Sequence, residues 1–447
     1  MSEASNNFFD VVIVGGGLAG ASMALALAPA LAKSKRRIAV IEAHPYQQQR
    51  LQPSFDDRCL ALAWSSKQIY QSMGIWDELA KHCHEGQSDG FAAIKQIHIS
   101  ERGHLGVTRL DQQKEAVPAL GSVVESRVLG EVLVEQMKLH DNIHVFCPAS
   151  IEQLATNADE VSISLIVDPE TELEPEPESA QAQSKHQKIK ASLLIVADGV
   201  NSQTRESLGI KVNQKAYAQT AIIANIETAM PHNNIAYERF TDSGPLAVLP
   251  LTRNRSSLVW TVKDEQLDDV MAMNDAEFSQ ALQQRFGHRL GQIKKVGHRA
   301  AYPLMLMTID NETLAYQQRV ALIGNAAHGV HPVAGQGFNL GLRDISALAE
   351  LIVAEVQAHK SADLGNDELL SRYWQWRQAD IKQVTRITNG LIKLFSNHST
   401  SLAILRNSGL FLTDIISPLK HVIAHEAMGN GILQGRMSKM AVGQSLL

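Results

Sequence analysis

Cysteine is scarce: the 447 residues hold three, Cys59, Cys83 and Cys147, odd in number and far apart. They form no CxxC pair and no zinc-ligand spacing, which excludes a disulfide scaffold and fits a reducing, cytoplasmic compartment. No uninterrupted apolar run reaches about 18 residues, so no membrane-spanning helix is expected. The opening Met-Ser-Glu-Ala-Ser-Asn-Asn has no basic stretch followed by an apolar core, so no secretory signal is expected either. Positive charge is not in excess: 41 Lys and Arg stand against 47 Asp and Glu, a net charge of −6, which argues against nucleic acid as a partner. There is no G-x-S-x-G elbow, no His/Asp/Glu spacing that makes a metal site, and no internal repeat. What remains is an ordinary soluble composition, 45% hydrophobic and 20% charged. The length alone suggests about three domains, held loosely because folds can interleave.

The chain opens with a βαβ pattern. Phe8–Val14 is an apolar run suited to one buried parallel strand, and Leu18, Ala21, Leu25 and Ala28 follow at helical spacing, with Pro29 expected near the helix end or at a kink. Arg37–Ile41 reads as a second buried strand ending at Glu42. Ala61–Leu79 and Glu125–Leu139 read as helical, and Phe91–Leu110 as short strands. Val161–Val167 and Ile189–Val196 are strand-like, with an acidic, solvated hairpin loop expected over Asp168–Lys190. Residues 212 to 308 look largely β, with strands at Thr220–Ile226, Pro245–Pro250 and Ser257–Val262 and a helix at Asp275–Phe286. A buried strand returns after Arg319, a glycine-rich turn follows, a helix starts at about Asn339, and helical sequence continues to about residue 440.

Gly15-Gly16-Gly17-Leu18-Ala19-Gly20 fits G-x-G-x-x-G. Gly15 permits the tight turn, Gly17 lets backbone approach a pyrophosphate, and Gly20 lets helix and strand pack closely. The helix N-terminus then offers free amides and a positive dipole end to the phosphates. Glu42, 22 residues beyond Gly20 at the end of the second strand, is placed to hold an adenosine ribose. Farther on, Gly335, Gly337 and Gly341 let backbone approach a flat ring, and the helix that begins there can turn its amides toward developing negative charge. Ser202 reads as a helix cap. His328 and His331 flank the glycine-rich turn, where packing or surface placement outweighs a general-base role.

Three stretches together resemble the signatures of the single-component flavoprotein aromatic hydroxylases: Gly15–Gly20, Ala197-Asp198-Gly199 with Ser202 and Arg205, and Gly324-Asn325-Ala326-Ala327-His328 leading to Pro332-Val333-Ala334-Gly335-Gln336-Gly337-Phe338-Asn339. The resemblance spans nearly the whole chain in the right order. It departs at Asn325, where the family usually has Asp; Asn keeps a hydrogen bond to a ribitol hydroxyl but gives up charge assistance, a difference of about 1 kcal/mol. Gly-Asn-Ala-Ala, the stretch His331 to Asp344 and Asp57-Arg58-Cys59-Leu60-Ala61-Leu62 are similar to the ubiquinone-biosynthesis hydroxylases, nearest to the branch acting on a polyprenylated methoxyphenol.

The resemblance implies an α/β fold: a Rossmann-like FAD-binding domain assembled from 1–90, 111–211 and 312–360, a mainly β substrate domain from 91–110 and 212–311, and a helical C-terminal region, 361–447. It implies FAD bound by Gly15, Gly17, Gly20, Glu42, Arg58, Arg127, Asp198, Gly324, Asn325, Gly337, Phe338 and Asn339. Arg58, Pro332, Gly335, Gln336 and Gly337 are implied at the oxygen and flavin site, and NAD(P)H or another reductant as electron donor, with no second glycine fingerprint to hold a nicotinamide. O2 and a polyprenyl phenol become the expected substrates, reacting through a flavin C4a-hydroperoxide. A ring hydroxylase of different regiochemistry shares these motifs. A flavin dehydrogenase or disulfide reductase would want a cysteine pair or a second dinucleotide motif, and a non-catalytic binding protein would not require the Gly335–Gly337 turn. Trp374-Gln375-Trp376 resembles the halogenase W-x-W, but Arg377-Gln378 breaks it, and two tryptophans packed on a helix are expected. The apolar residues from Leu391 to Ile423, interleaved with Lys393, Arg406, Lys420 and His421, suit either core packing or a peripheral contact with the inner membrane or a biosynthetic complex; a homo-oligomer is also compatible with the sequence.

Overall fold

The structure is a computed structural model that describes residues 7–44, 59–84, 90–168, 185–310, 316–330, 335–395, 413–414, 416–430 and 436–447. Arg58, His331 and Pro332 lie outside the described residues, as do most of the acidic run and much of the apolar stretch after Leu391.

The first sheet grows from the N-terminal βαβ unit: β1 (Phe8–Val14), α1 (Leu18–Lys33) and β2 (Ile38–Ile41). β1 is covered on both faces. Val11 and Ile13 pack into one apolar cluster, and Phe9, Val12 and Val14 into another, which is why the run reads as continuous rather than alternating. Every residue of α1 from Gly20 to Ala28 is buried, and Pro29 lies one turn from the helix end, where its lost N–H costs least structure.

Next come β3 (Cys59–Ala63), α2 (Trp64–Ser72) and α3 (Ile75–His84). The sequence predicts one helix here. The chain instead begins as a strand and breaks at Gly74, whose positive φ of 75° ends α2. β4 (Phe91–Ile94), β5 (Gln96–Glu101) and β6 (Val107–Asp111) precede β7 (Gly121–Glu125) and α4 (Ser126–Lys138). β8 (Ile143–Phe146), β9 (Ala149–Thr156), β10 (Val161–Val167) and β11 (Lys185–Val196) lead to α5 (Gln203–Ser207). β11 is longer than its apolar core suggests, because the hairpin with β10 continues pairing back to Lys185.

The β-rich half holds β12 (Val212–Thr228), β13 (Ile235–Thr241), β14 (Gly244–Pro250), β15 (Arg255–Lys263), α6 (Leu267–Ala272), α7 (Asp275–Phe286), β16 (Ile293–Val296) and β17 (Ala300–Ile309). β18 (Tyr316–Gln317), β19 (Val320–Leu322) and β20 (His328–Gly329) follow, then α8 (Gln336–Ala358), α9 (Asp367–Phe395) and α10 (Ser417–Ala427).

Among the described residues these strands form three sheets. One runs β18-β19-β11-β1-β2-β8, with β9 and β10 attached; its centre, β19 to β8, is parallel. A nine-stranded sheet runs β20-β17-β12-β15-β14-β13-β5-β6, with β16 attached to β12. β5, from the first quarter of the chain, lies parallel beside β13. The third sheet is β3-β7-β4, so β4 leaves its chain neighbour β5 and pairs with β7. The nine-stranded sheet has two different faces. On one, Ile222, Leu258 and Trp260 pack against Phe278, Leu282 and Phe286 of α7, a helix opened by an Asn274/Glu277 capping box. The other face looks toward the third sheet: Ala236, Ile97, Ile99 and Leu249 share a cluster with Cys59 and Val123.

Candidate active site

The glycine turn between β1 and α1 carries its three jobs in separate places. Gly15 has φ +95°, and a Cβ there would sit 2.7 Å from the Ala197 carbonyl oxygen. A Cβ on Gly20 would fall far inside contact distance of the Gly15 carbonyl oxygen. Those two glycines serve backbone packing. Gly17 differs: it is exposed, its backbone is extended, it opens α1 with no side-chain cap, and among the described residues nothing lies within 4 Å of where its Cβ would be. The open space at an uncapped helix N-terminus is what a pyrophosphate needs. Glu42 reaches back over this turn. Its carboxylate accepts the Gly16 amide at 2.6 Å and the His44 amide at 2.8 Å, which fixes the acidic group beside the turn.

The stretch Ala197–Arg205 closes on the same region. Asp198 follows β11, accepts the Thr204 amide at 3.3 Å through Oδ2, and has a buried Oδ1 with no hydrogen-bond partner among the described residues. A buried carboxylate oxygen left open beside a dinucleotide turn fits a ligand hydroxyl. Ser202 is the cap of α5, its Oγ accepting the Arg205 amide at 2.9 Å. Arg205 is itself buried and donates to the carbonyls of Val200 at 3.0 Å and Ala326 at 3.1 Å. It therefore ties this stretch to the turn after β19.

That turn, Gly324 to Ala326, rests on a buried ion network that the sequence reading did not assemble. Asp344 of α8 is 0% exposed; its Oδ2 accepts the Gly324 amide at 3.0 Å and meets His328 Nε2 at 2.6 Å, while Oδ1 accepts Arg377 Nε at 2.7 Å. Burial by itself would raise this carboxyl, but His328 and Arg377 prevail and hold it at about 2. Arg377 and Arg343 then share Asp380 at 2.6 and 2.9 Å. His328 is accordingly buried against Asp344 and is not a surface group. The only hint in the sequence was the shared stretch containing Asp344; Arg377 lies on another helix, beyond the reach of any local spacing.

The remaining candidates divide by what they touch. Asn325 is exposed, free to face a ligand, and Gly324 has φ +57°. Gly335, with φ +62°, opens α8 so close to β3 that a Cβ would lie 2.9 Å from the Ala61 Cβ. Gln336 and Gly337 are the first residues of α8, and among the described residues a Cβ on Gly337 would meet only Val330, at 3.8 Å. Phe338 packs partly on the main core. Asn339, assigned to the cofactor from sequence, spends its side chain on backbone: it accepts the Ala63 amide at 2.8 Å and donates to Ala61 and Gly335 carbonyls at 2.8 and 2.6 Å. Both amide hydrogens are used, so its role is to clamp the start of α8 to β3. Arg127 lies at the start of α4 and pairs with Glu131 at 2.6 Å. The two tryptophans are on α9, and Trp376 stacks under Arg436 at 4.2 Å while donating to its carbonyl. No group of three or more His, Cys, Asp or Glu that could hold a metal occurs among the described residues.

β3 links this turn to the nine-stranded sheet. Asn339 holds Ala61 and Ala63, and at the other end of the strand Cys59 Sγ lies 3.9 Å from Asn225 Oδ1 on β12. The open face of the nine-stranded sheet thus looks toward the start of α8.

Residues 9–388 match the family model described as the FAD binding domain. Ubiquinone hydroxylase UbiL of Rhodospirillum rubrum is 34% identical over 420 residues, 94% of this chain and 89% of that protein. The 3-demethoxyubiquinol 3-hydroxylase of Escherichia coli is 29% identical, covering 95% of this chain and all of that one, 100%. Human mitochondrial ubiquinone biosynthesis monooxygenase COQ6 is 28% identical over 94% of this chain and 92% of its own length. Among solved structures, p-nitrophenol 4-monooxygenase PnpA of Pseudomonas putida has the same fold, with a TM-score of 0.72, 17% identity and coverage of 95% of this chain and 99% of that one.

Proposed function

The chain belongs to the FAD-binding family of aromatic hydroxylases, among the ubiquinone hydroxylases, and on that premise we propose that it hydroxylates the ring of a polyprenylated methoxyphenol in ubiquinone biosynthesis. It is a flavin-dependent monooxygenase with FAD as its cofactor. Bound FAD supplies the two-electron chemistry by which O2 is activated, with NAD(P)H or another donor as the source of electrons.

The observation that carries the reading is convergence. The open cradle at Gly17, the unpartnered Asp198 oxygen and the Asp344-anchored turn at Gly324 come from three distant segments, and the clamp at Asn339 sets them beside an apolar sheet face. In this reading Gly17 and the start of α1 take the pyrophosphate, Glu42 the adenosine ribose, and Asp198 with Gly324 and Asn325 the ribitol. The N-terminus of α8 favours negative charge at its end by roughly 0.3–2 kcal/mol, which suits a reduced flavin ring. Arg58 and Pro332, which lie outside the described residues, and the Gly335–Phe338 backbone are assigned to the oxygen side, and Arg127 at the start of α4 to the cofactor. The nine-stranded sheet is the substrate layer. No helix among the described residues is long and apolar enough to cross a membrane, so a bilayer-dwelling polyprenyl phenol would be reached peripherally; Ile416, Leu419 and Val422 are exposed on and beside α10, where such contact could form.

The test is chemical. Cells lacking the protein should accumulate a polyprenyl methoxyphenol, and purified holoenzyme should convert it to the ring-hydroxylated product with consumption of O2. Accumulation of a later, already oxygenated intermediate would move the enzyme to another ring position, and unchanged quinone levels would refute the assignment.

A further inference from the structure

On the open face of the nine-stranded sheet one row of residues stands apart. Register places Ile99 of β5, Glu238 of β13, Ala247 of β14, Val259 of β15, Ile223 of β12 and Ala300 of β17 side by side. All six keep accessible surface, while Tyr237, Val248, Leu258, Trp260, Ile222 and Ala224, on the opposite face, are buried. Such a row, half-open in the middle of a sheet covered on its far side, gives the open face an apolar floor. Five of its members are apolar; one is a carboxylate.

The Glu238 side chain makes no hydrogen bond or ion pair among the described residues. Burial pushes its carboxyl up to about 7, with no cation to offset the desolvation. The other ionisable groups that register brings to this sheet face include Glu101, two residues beyond Ile99 on β5, Glu227 on β12, Lys295 on β16, Tyr302 on β17, and Lys263 and Arg255 at the two ends of β15; Arg255 is committed to Glu125 of β7 at 2.8 Å. From α10, Lys420 is held by Asp414, and His421 by Glu115. A lone carboxyl of this kind on an apolar floor is poised as a proton acceptor near neutral pH.

We propose that Glu238 is the group that takes the phenolic proton of the substrate during ring hydroxylation. This rests on the reading of the protein as a phenol hydroxylase. The phenol O–H bond breaks, its proton passes to a Glu238 carboxylate oxygen, and the electron pair flows into the ring. The ortho or para carbon then bonds one oxygen atom of O2; the other oxygen leaves as water, and the two electrons come from the reductant through the flavin. The ring carbon next loses its hydrogen as a proton, aromaticity returns, and Glu238 gives its proton back to the ring oxygen. Glu238 ends as it began.

The experiment compares wild type, Glu238→Gln and Glu238→Asp as holoenzymes, with a short-chain, water-soluble prenyl methoxyphenol. Product formation, O2 uptake and reductant oxidation are followed from pH 5.5 to about 9.5, a range that approaches the usual phenol pKa of about 10 from its acid side. Wild-type kcat should rise through a limb near pH 7. Glu238→Gln should bind flavin stoichiometrically, lose about 10²–10⁴-fold of hydroxylation at pH 7, and recover as pH approaches the phenol's own ionisation. Glu238→Asp should recover part of the rate. Uncoupling should rise in the Gln variant, with reductant and O2 consumed but less phenol hydroxylated. A readout without turnover accompanies this: relative to Glu238→Gln, wild type should lose stability as pH rises from the ordinary glutamate range through about 7, because the raised pKa means the folded state prefers the protonated acid. A Gln variant that hydroxylates with the wild-type pH profile overturns the role of Glu238 and leaves the enzyme assignment intact. Wild type that binds flavin and hydroxylates no phenol overturns the assignment itself. If the Gln variant fails to fold, a wild-type profile with no limb between pH 6 and about 8 overturns the proposal without it.

Discussion

Replacing Gly17 and Gly20 in turn separates the fold from the cofactor site. At Gly20 the Cβ of an alanine would press into the Gly15 carbonyl oxygen, which is backbone and cannot swing aside. Relief requires moving α1 off β1, along a helix whose residues Gly20 to Ala28 are all buried. Overpacking of that kind costs about 1–3 kcal/mol or more, a large part of a total stability of about 5–15 kcal/mol. At Gly17 the backbone is extended at φ −65°, open to any L-residue, and the side chain enters empty space. Gly17→Ala should therefore change stability by no more than about 1 kcal/mol, and Gly17→Arg should leave apoprotein unfolding close to wild type while filling the space a pyrophosphate needs. The assay pairs a urea midpoint for each apoprotein with flavin content read by absorbance near about 450 nm. The expected pattern is a crossing: Gly20→Ala lowers the midpoint, and Gly17→Arg keeps the midpoint and loses the flavin. Stoichiometric flavin in Gly17→Arg would refute the placement of the cofactor, and an unchanged midpoint in Gly20→Ala would refute the packing argument.

Asp344→Asn should cost about 3–5 kcal/mol, because His328 and Arg377 are left buried without their carboxylate, and flavin retention should fall with it as Gly324 loses its anchor. The pH signature follows from the sign of the shift. A carboxyl lowered from 3.8 to about 2 adds stability that is present above its ordinary range and lost as pH falls from about 4 toward about 2; acid unfolding of the variant should be less steep than that of wild type. Asn339→Leu removes three hydrogen bonds to β3 and the start of α8, leaving the buried Ala63 amide unsatisfied at about 1–3 kcal/mol, and should weaken flavin binding more than Phe338→Leu does. Arg255→Met takes a buried cation from the Glu125 carboxylate, since the pair is 2.8 Å apart with side chains only 6% and 3% exposed, and should destabilise more than the double variant Arg255→Met/Glu125→Gln, measured by urea unfolding.

Local chemistry carried a good deal of this molecule. The turn at Gly15–Gly20 is legible because a tight bend, a ligand approach and a helix–strand contact each tolerate only glycine, and all three demands fall within six residues. β1, α1, α4 and α7 are legible because period and burial agree over a whole element. Ser202 announces its cap because the acceptor and the Arg205 amide are three residues apart. Where the reading slipped, neighbours in space competed with neighbours in sequence: Ala61 to Ala63, read as the start of a helix, are drawn with Cys59 and Leu60 into pairing with β7, and β4 pairs with β7 instead of continuing into the large sheet.

The sites themselves needed the folded chain. Asp344 and Arg377 are 33 residues apart on different helices, and nothing in the spacing of either motif says that one neutralises the other inside the core. Asn339 looks from sequence like a ligand contact and is instead consumed by β3, because only packing decides which polar groups lie within hydrogen-bond reach. Glu238 is one acidic residue among 47 until six strands from three parts of the chain bring it to the middle of an apolar row. Periodicity and turn chemistry act over a few residues and can be read in a line of letters. Desolvation and charge pairing act through space, so the proton affinity of a carboxyl exists only once the chain has closed around it.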